Sequence, residues 1–354
     1  MKTLPSWEDT TIKVESILSD YCQKNIKDAS RVGDGYIQLW KEIRYLIEAG
    51  GKRIRPYLVC LTYGAYGGSD EDNILQIACS WELLHTFMLI HDDIIDRDTV
   101  RHNKLNIAGK YQGKYKKLID KDSEHYSLSA ALLAGDLLLS SSYDIVNKSS
   151  FSDDIKVAVQ AELHAALFSE GGGELLDVES VLYSIQSSDP ISIAQYKTAA
   201  YSFQSPLVCG ARVAGASEDE VRKLDSIGLE VGVSFQLRDD ILGVFGEEDK
   251  TGKSNRSDIY EKKRTLLVVE ALKQLSATKA NRLEELYGIN RPISSDEVEE
   301  VVDLIKESGA TTIVETQITD RTKRAREIID SLAVRDEFKA EIIKLIDKIE
   351  VRKS

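Results

Sequence analysis

The stretch Leu83-Leu84-His85-Thr86-Phe87-Met88-Leu89-Ile90-His91-Asp92-Asp93-Ile94-Ile95-Asp96 decides the fold of this chain. Its leucine, phenylalanine, methionine and isoleucine residues recur at helix spacing, which predicts a buried helix. That helix runs into three aspartates. Because helix residues four apart are neighbours, Asp92 and Asp96 project from one face, with Asp93 beside them.

Taken alone, this acidic motif fits a solvated helix face as well as it fits a metal site. The apolar flank favours the metal site, because a buried helix does not normally end in three unpaired carboxylates. Hard oxygen ligands from a few carboxylates, completed by phosphate and water, suit Mg²⁺.

Helical spacing also dominates the rest of the chain, with no convincing run of alternating strand residues. Further long helical segments are predicted at 130–146, 155–168, 191–213 and 221–245, and amphipathic ones at 298–306 and 337–349. Breaks are predicted at 49–51, 66–70 and 171–173, a loop with little structure at 103–127 and a polar connector at 246–257. No break is typical of an interdomain linker, so a single all-α domain is predicted over residues 1–354.

The composition limits the partners and the compartment. A net charge of −13 argues against nucleic acid or an anionic membrane surface as the principal partner, since both require clustered lysine and arginine. The four cysteines form no CxxC pair and are typical of reduced thiols in a cytosol. No apolar run opens the chain or reaches the length of a membrane span, so we expect a cytoplasmic protein without stable membrane insertion.

A second acidic pair, Asp239-Asp240, lies in another apolar helical segment, Phe235-Gln236-Leu237-Arg238-Asp239-Asp240-Ile241-Leu242-Gly243. Two such clusters facing each other across a cavity would hold a diphosphate through Mg²⁺ ions. The hypothesis that follows is metal-assisted departure of a diphosphate leaving group.

Together these motifs resemble the trans-isoprenyl diphosphate synthases, or polyprenyl synthetases, in order and spacing from about residue 50 to residue 265. The resemblance rests on the two acidic motifs, on GKRIRP at 51–56, and on Lys197-Thr198. It implies an all-α bundle of long helices around a central active-site cavity, and a homodimer.

The resemblance also implies roles for individual residues. The metal ligands, for about three Mg²⁺ ions per site, would be Asp92, Asp93, Asp96, Asp239 and Asp240. The substrate-binding residues would be Lys52, Arg55 and His85 for isopentenyl diphosphate, Arg101 for the allylic diphosphate, His102, and Lys253 on a loop that closes over the diphosphate. The catalytic residues would be Lys197, Thr198, Gln236 and Lys263.

The implied reaction joins isopentenyl diphosphate head to tail to an allylic diphosphate, releasing pyrophosphate. Phe87 and Met88 lie five and four residues before Asp92, where the family places the floor that stops chain growth. One aromatic residue at this floor resembles the C20 producers, so geranylgeranyl diphosphate is predicted, with farnesyl diphosphate as second choice.

Three residues depart from the family pattern. His102 stands where a second arginine is usual, which predicts weaker or more pH-sensitive binding of isopentenyl diphosphate. Glu174 replaces a glutamine in the segment Gly173-Glu174-Leu175-Leu176-Asp177, and Gly243 replaces the last aspartate of the second motif. Asp239 and Asp240 remain, so activity is expected to survive the loss at Gly243.

Other functions fit the sequence less well. Gly252-Lys253-Ser254 resembles the end of a P-loop, but Glu247 stands where the first glycine is needed. A class I terpene cyclase does not require the second-substrate residues, and a non-catalytic partner subunit tends to lose its acidic motifs. A phosphohydrolase of the HD type needs more suitably placed histidines than the five present.

Overall fold

The computed structural model describes residues 4–101, 104–119, 121–246, 256–288 and 291–351. The chain divides into two compact units, one of Met1–Leu163 with Cys209–Ala216 and the other of His164–Val208 with Ser217–Ser354. Helices dominate both, so the predicted all-α class is confirmed. The single domain over 1–354 stays a prediction.

The first unit contains helices α1 to α6, the start of α7 and one short hairpin. Their bounds are α1 Trp7–Ala29, α2 Asp34–Glu48, α3 Ile54–Ala65, α4 Glu71–Ile95, β1 Val100–Arg101, β2 Lys104–Leu105, α5 Ile107–Tyr115, α6 Ser123–Lys148 and α7 Asp153–Ser180. Asp70 caps α4, because its side chain accepts a hydrogen bond from the Asn73 amide.

Helix α4 forms the centre of this unit and packs against α1, α3, α5 and α6. It is long and apolar enough to cross a membrane by length and composition, but 78% of its most apolar window is buried inside the protein. Trp81, Leu83 and Leu84 are completely buried. The helix predicted from the acidic motif is therefore a core helix that carries its aspartates at its carboxyl end.

The second unit begins within α7 and continues through a widened helix. Its elements are a 3₁₀ turn at Ile185–Ser187, α8 Pro190–Ile193, a π-helix Ala194–Gln204, α9 Ser205–Val213 (shared with the first unit), α10 Glu218–Phe245, α11 Ser257–Tyr260, α12 Leu266–Gln274, α13 Ala277–Gly288, α14 Ser295–Ser308, α15 Ala310–Asp330 and α16 Asp336–Val351. Helix α10 packs against the π-helix, α15 and α16.

The prediction of a loop with little structure at 103–127 is wrong. Asn106 caps α5 by accepting a hydrogen bond from the Gly109 amide at 2.8 Å, and α6 begins at Ser123. Helix α5 buries Ile107 and Tyr111 and packs against α6. Tertiary burial, which the polar composition of this segment does not reveal, decides its structure.

The break predicted at Gly171-Gly172-Gly173 is also wrong, since α7 runs through it without interruption. None of the three glycines has the positive φ that would end a helix. Gly173 is required for another reason, because a Cβ at this position would lie 2.2 Å from the Lys197 amide nitrogen. The π-helix approaches α7 through this contact.

Candidate active site

Arg101 links the first acidic motif to the hairpin that follows it. Its guanidinium group donates to Asp92 Oδ2 at 2.8 Å from Nη2 and to Asp93 Oδ1 at 2.8 Å from Nε. Asp93 is buried, and this burial raises the pKa of its carboxyl group even though Arg101 opposes the shift. The motif therefore presents two carboxylates already held in place by a planar cation.

The hairpin positions Arg101 through Asn106. The Asn106 side chain donates to the Asp98 carbonyl at 2.8 Å, and the backbone pairs Arg101 with Lys104. A Cβ at Gly109 would lie 2.2 Å from the Thr99 carbonyl oxygen, so a glycine lets α5 approach the hairpin closely.

The segment 51–56 places its three cations in different environments. Lys52 is exposed and Arg55 is half-buried, whereas Arg53 is buried with φ of 48°. Arg53 forms an ion pair with Glu82, which is equally buried, and donates to the Ile47 carbonyl at 2.6 Å. Arg53 therefore anchors the loop that carries Lys52 and Arg55, a role that the sequence analysis missed.

The predicted chain-length residues lie in the interior of the first unit. Phe87 and Met88 are 7% and 3% exposed, so both are core residues of α4. The Phe87 ring stands edge-on to His91 at 4.5 Å between centroids. A Cβ at Gly135 on α6 would lie 2.3 Å from that imidazole, so this glycine makes room for His91. His85 is half-buried on the same helix.

In the second unit, Lys197 lies between two carboxylates of α7. Its Nζ is 2.8 Å from Glu174 Oε2 and 2.7 Å from Asp177 Oδ2. The π-helix carries Lys197, and the wider turn of such a helix is frequent at functional sites. The negative charge that Glu174 adds, relative to the family's glutamine, therefore acts directly on Lys197.

A chain of hydrogen bonds runs from the π-helix to the second acidic motif. Thr198 Oγ1 donates to Gln236 Oε1 at 2.7 Å, and Gln236 Nε2 donates to Asp240 Oδ1 at 2.8 Å. Burial, with Asp258 and Asp239 nearby, raises the pKa of Asp240 to about 8. A buried carboxyl group surrounded by others becomes an anion at neutral pH only when cations offset its environment.

Gly243 has a clear structural reason. A Cβ at this position would lie 2.3 Å from Asp258 Oδ2, so the carboxylate of Asp258 occupies the space beside α10 that a side chain would need. Asp258 comes from α11, fifteen residues further along the chain. At the position where the family pattern often has its third aspartate, the carboxylate of Asp258 therefore packs directly against α10.

These residues converge on one cavity of the second unit. Its lining includes Asp177, Lys197, Thr198, Gln236, Asp240, Asp258 and Lys263. Lys263 also forms an ion pair with Glu261 at 2.8 Å, and its charge lowers the pKa of Asp240. Asp239 is half-buried, as are Asp96 and Asp92. The four predicted catalytic residues therefore lie around a single cavity.

The donor set fits a divalent cation. Asp240 and its carboxylate neighbours supply hard oxygen ligands in a buried place where a cation would offset their mutual repulsion. Within the described part of the chain, no group of three or more His, Cys, Asp or Glu side chains is placed so that it could hold a metal ion. The metal-ligand prediction remains a prediction. His102 and Lys253 lie outside the described residues.

Comparison with known proteins defines the class. Residues 38–305 match the family model described as polyprenyl synthetase. The short chain isoprenyl diphosphate synthase of Methanocaldococcus jannaschii is 31% identical over 297 residues, which cover 84% of this chain and 81% of that protein. The farnesyl diphosphate synthase of Bacillus subtilis is 32% identical over 278 residues, with 75% and 88% coverage.

A solved structure is also similar. The geranylgeranyl pyrophosphate synthase from Corynebacterium glutamicum, complexed with isoprenyl diphosphate and magnesium, is 28% identical with a TM-score of 0.91 and covers 98% of this chain and 100% of that one. The chain belongs to the polyprenyl synthetase family. It is an enzyme, a trans-prenyltransferase that acts as a short-chain prenyl diphosphate synthase.

Proposed function

We propose that this enzyme condenses isopentenyl diphosphate with an allylic diphosphate in a Mg²⁺-dependent, head-to-tail reaction that releases pyrophosphate. The observation that carries the proposal is the cavity that gathers Lys197, Thr198, Gln236, Asp240 and Lys263. It combines oxygen donors for a cation with two lysines for an anionic substrate, as a departing diphosphate requires.

The residues divide the work between the two substrates. Lys197 and Lys263 would hold the allylic diphosphate, and Arg101 is the further contact that the family resemblance implies for this substrate. Lys52, Arg55 and His85 would bind the diphosphate of isopentenyl diphosphate, for which a point charge and a planar fork are suited. Asp92, Asp93, Asp96, Asp239 and Asp240 would hold Mg²⁺, which when bound neutralises charge on the leaving group.

Condensation then breaks the allylic C–O bond, and the electron pair leaves with pyrophosphate. The double bond of isopentenyl diphosphate attacks the allylic cation, and the released pyrophosphate accepts the proton that is lost. The Thr198–Gln236–Asp240 hydrogen bonds hold the Gln236 amide in one orientation, so its dipole is available to the cation without reorganisation.

We propose geranylgeranyl diphosphate as the product, with farnesyl diphosphate second. Phe87 and Met88 would form the floor that stops chain growth. The two products are those named for the similar synthases of Corynebacterium glutamicum (geranylgeranyl) and Bacillus subtilis (farnesyl). The edge-on contact of Phe87 with His91 supports the choice of Phe87, because it gives the ring a fixed position.

The proposed state of the enzyme is a cytoplasmic homodimer. On the part of α7 in the second unit, Phe168 is 78% exposed, Leu175 56% and Leu176 45%. Large apolar side chains on one exposed helix are typical of a surface covered by another chain. Light scattering coupled to size-exclusion chromatography tests the dimer, and a monomer at micromolar concentration would contradict it.

The reaction is tested by incubating the chain with isopentenyl diphosphate and Mg²⁺, separately with dimethylallyl, geranyl and farnesyl diphosphate. We expect elongation to C20, no elongation with EDTA present, and loss of most activity in Lys197→Ala. A folded protein that elongates none of the three would contradict the proposal and favour a partner subunit of a heteromeric synthase.

A further inference from the structure

A cluster of lysines occupies the end of α5 and the turn that follows it. Residues 104–119 contain five lysines and no acidic residue, in a chain whose net charge is −13, and acidic residues resume at 120, 122 and 124. This local excess of positive charge differs from the net charge of the chain, which by itself argues against binding to an anionic surface. We call the cluster the lysine patch and define it by Lys114, Lys116, Lys117 and Lys121, together with Leu118, Ile119 and Tyr126.

The charges of the lysine patch are available to a partner. All four lysines are exposed, and within the part of the chain that the structure describes none of them forms an ion pair with a carboxylate. Lys114 lies 5.2 Å from the Tyr111 ring centroid. Paired surface lysines are typical elsewhere, as at Lys148 with Asp144.

The patch also exposes apolar side chains. Leu118 is 70% exposed, Ile119 44% and Tyr126 47%. Tyr115 contacts Tyr126 at 6.0 Å between ring centroids, which ties the turn after α5 to the first turn of α6. The lysines and aliphatic groups are therefore presented by a turn whose two flanking helices, α5 and α6, pack against each other.

We propose that the lysine patch binds an anionic lipid surface. Clustered lysines are attracted to acidic headgroups, adjacent exposed aliphatic side chains enter the boundary between headgroups and acyl chains, and tyrosine favours the same interface. Nucleic acid would share only the electrostatic attraction to the lysines, because its phosphates make no favourable contact with the apolar side chains of Leu118 and Ile119. Two aliphatic residues support a peripheral, reversible association, which is compatible with the expectation of no stable insertion.

Such binding would have a use for a prenyl diphosphate synthase. A product with a long apolar tail and a charged head partitions into a bilayer, so an enzyme at the surface delivers it there directly. This use rests on the proposed function, whereas the binding to the lipid surface does not, and the vesicle experiment contains no substrate.

The experiment is sedimentation of the full chain with vesicles of phosphatidylcholine alone or with one quarter phosphatidylglycerol. We expect binding to the acidic vesicles only, with most of it lost when the salt concentration rises from 50 to 500 mM. The triple variant Lys116→Gln, Lys117→Gln, Lys121→Gln should bind at least tenfold more weakly. Leu118→Ser with Ile119→Ser should weaken the binding that remains at high salt.

The acidic residues beside the patch allow a test in the opposite direction. Asp122 and Glu124 are exposed at the start of α6, and their carboxylates oppose the attraction of the lysines to acidic headgroups. Asp122→Asn with Glu124→Gln should therefore strengthen binding to the acidic vesicles, and weaker binding would count against the patch as the contact.

The matched control removes three exposed lysines elsewhere, Lys24→Gln, Lys306→Gln and Lys344→Gln, so the net charge changes equally. It should bind as the unaltered chain does. Circular dichroism verifies that every variant is folded. The proposal is overturned by equal binding to neutral vesicles, by no vesicle binding, by equal loss in the control, or by preference for single-stranded DNA over acidic vesicles at equal phosphate concentration.

Discussion

At the residue scale, the candidate site is adjusted by side chains that differ from the family pattern. Lys197 is shared between Glu174 and Asp177, and in the proposed function both carboxylates would compete with the substrate diphosphate for the same ammonium group. Glu174 is 10% and Lys197 19% exposed at the side chain, so solvent screens this pair only weakly.

Replacing Glu174 with Gln should therefore release Lys197 toward the substrate. We expect the KM for the allylic diphosphate to fall roughly three- to tenfold, with a smaller change in kcat, because one charge-assisted contact is removed. Steady-state kinetics measures both constants. Glu179→Gln makes the same change of charge on the same helix and should leave KM unaltered; a rise in KM for Glu174→Gln would contradict the competition.

Gly243 provides a second test at this scale. Gly243→Asp restores the family's acidic pattern in sequence, but its Cβ would displace Asp258 and add a further carboxylate beside Asp240. We expect kcat to fall at least tenfold, which corresponds to a rise of about 1.4 kcal/mol or more in activation free energy. Gly243→Ala should cause a smaller loss, since it displaces the end of the Asp258 side chain without adding a carboxylate. An activity gain in Gly243→Asp would show that Asp258 does not fill this place.

At the element scale, helix packing depends on where glycine lies. In α7, a Cβ added at Gly171 would meet no atom within 4 Å, whereas a Cβ at Gly173 would meet the Lys197 backbone. Two glycines of one helix, only two positions apart, thus have opposite requirements.

This difference predicts opposite effects of alanine. Gly171→Ala should raise the free energy of unfolding by about 0.5–1 kcal/mol, because alanine loses less backbone entropy in a helix. Gly173→Ala should lower it by more than about 1 kcal/mol and reduce activity, since the π-helix must move away. Urea unfolding of both variants gives the comparison, and equal stabilities would show that the close approach is not needed.

The contact between α4 and α6 makes a prediction about product length. Gly135→Ala would push the His91 ring, which in turn touches Phe87. We expect an altered product distribution from Gly135→Ala and longer products from Phe87→Ala. Both are measured by chromatography of the prenols that hydrolysis of the prenyl diphosphate products releases. Gly113→Ala on α5, where a Cβ meets nothing, is the control. An unchanged distribution in Phe87→Ala would exclude this ring as the floor.

At the scale of the whole molecule, each unit has its own core. In the second unit, α10, which carries Asp239 and Asp240, also binds the last helix, α16. Arg238, between Leu237 and Asp239, donates to the Ile349 and Glu350 carbonyls at 3.0 Å each. Both carbonyls lie in the last turn of α16, where a cation is favoured.

Removing this arginine should therefore destabilise the protein more than it affects catalysis. Arg238→Met is expected to lower the free energy of unfolding by about 1–3 kcal/mol, the range for hydrogen bonds from a charged donor. Arg222→Met on the same helix, where the side chain is 70% exposed, should change it by less than about 0.5 kcal/mol. Equal effects in urea unfolding would contradict the role of Arg238.

The sequence by itself determined the all-α class, the central helix α4 and the residues that carry charge, because apolar spacing and acidic clusters are local signals. It misassigned α5 and the glycines of α7, since burial and close approach involve residues distant along the chain. Tertiary structure alone decided that Asp258 fills the space beside Gly243, that Glu174 holds Lys197 and that Arg53 is an anchor. The physical reason is that an ion pair or a steric contact depends on distance in space, which one-dimensional spacing does not encode beyond a helical turn.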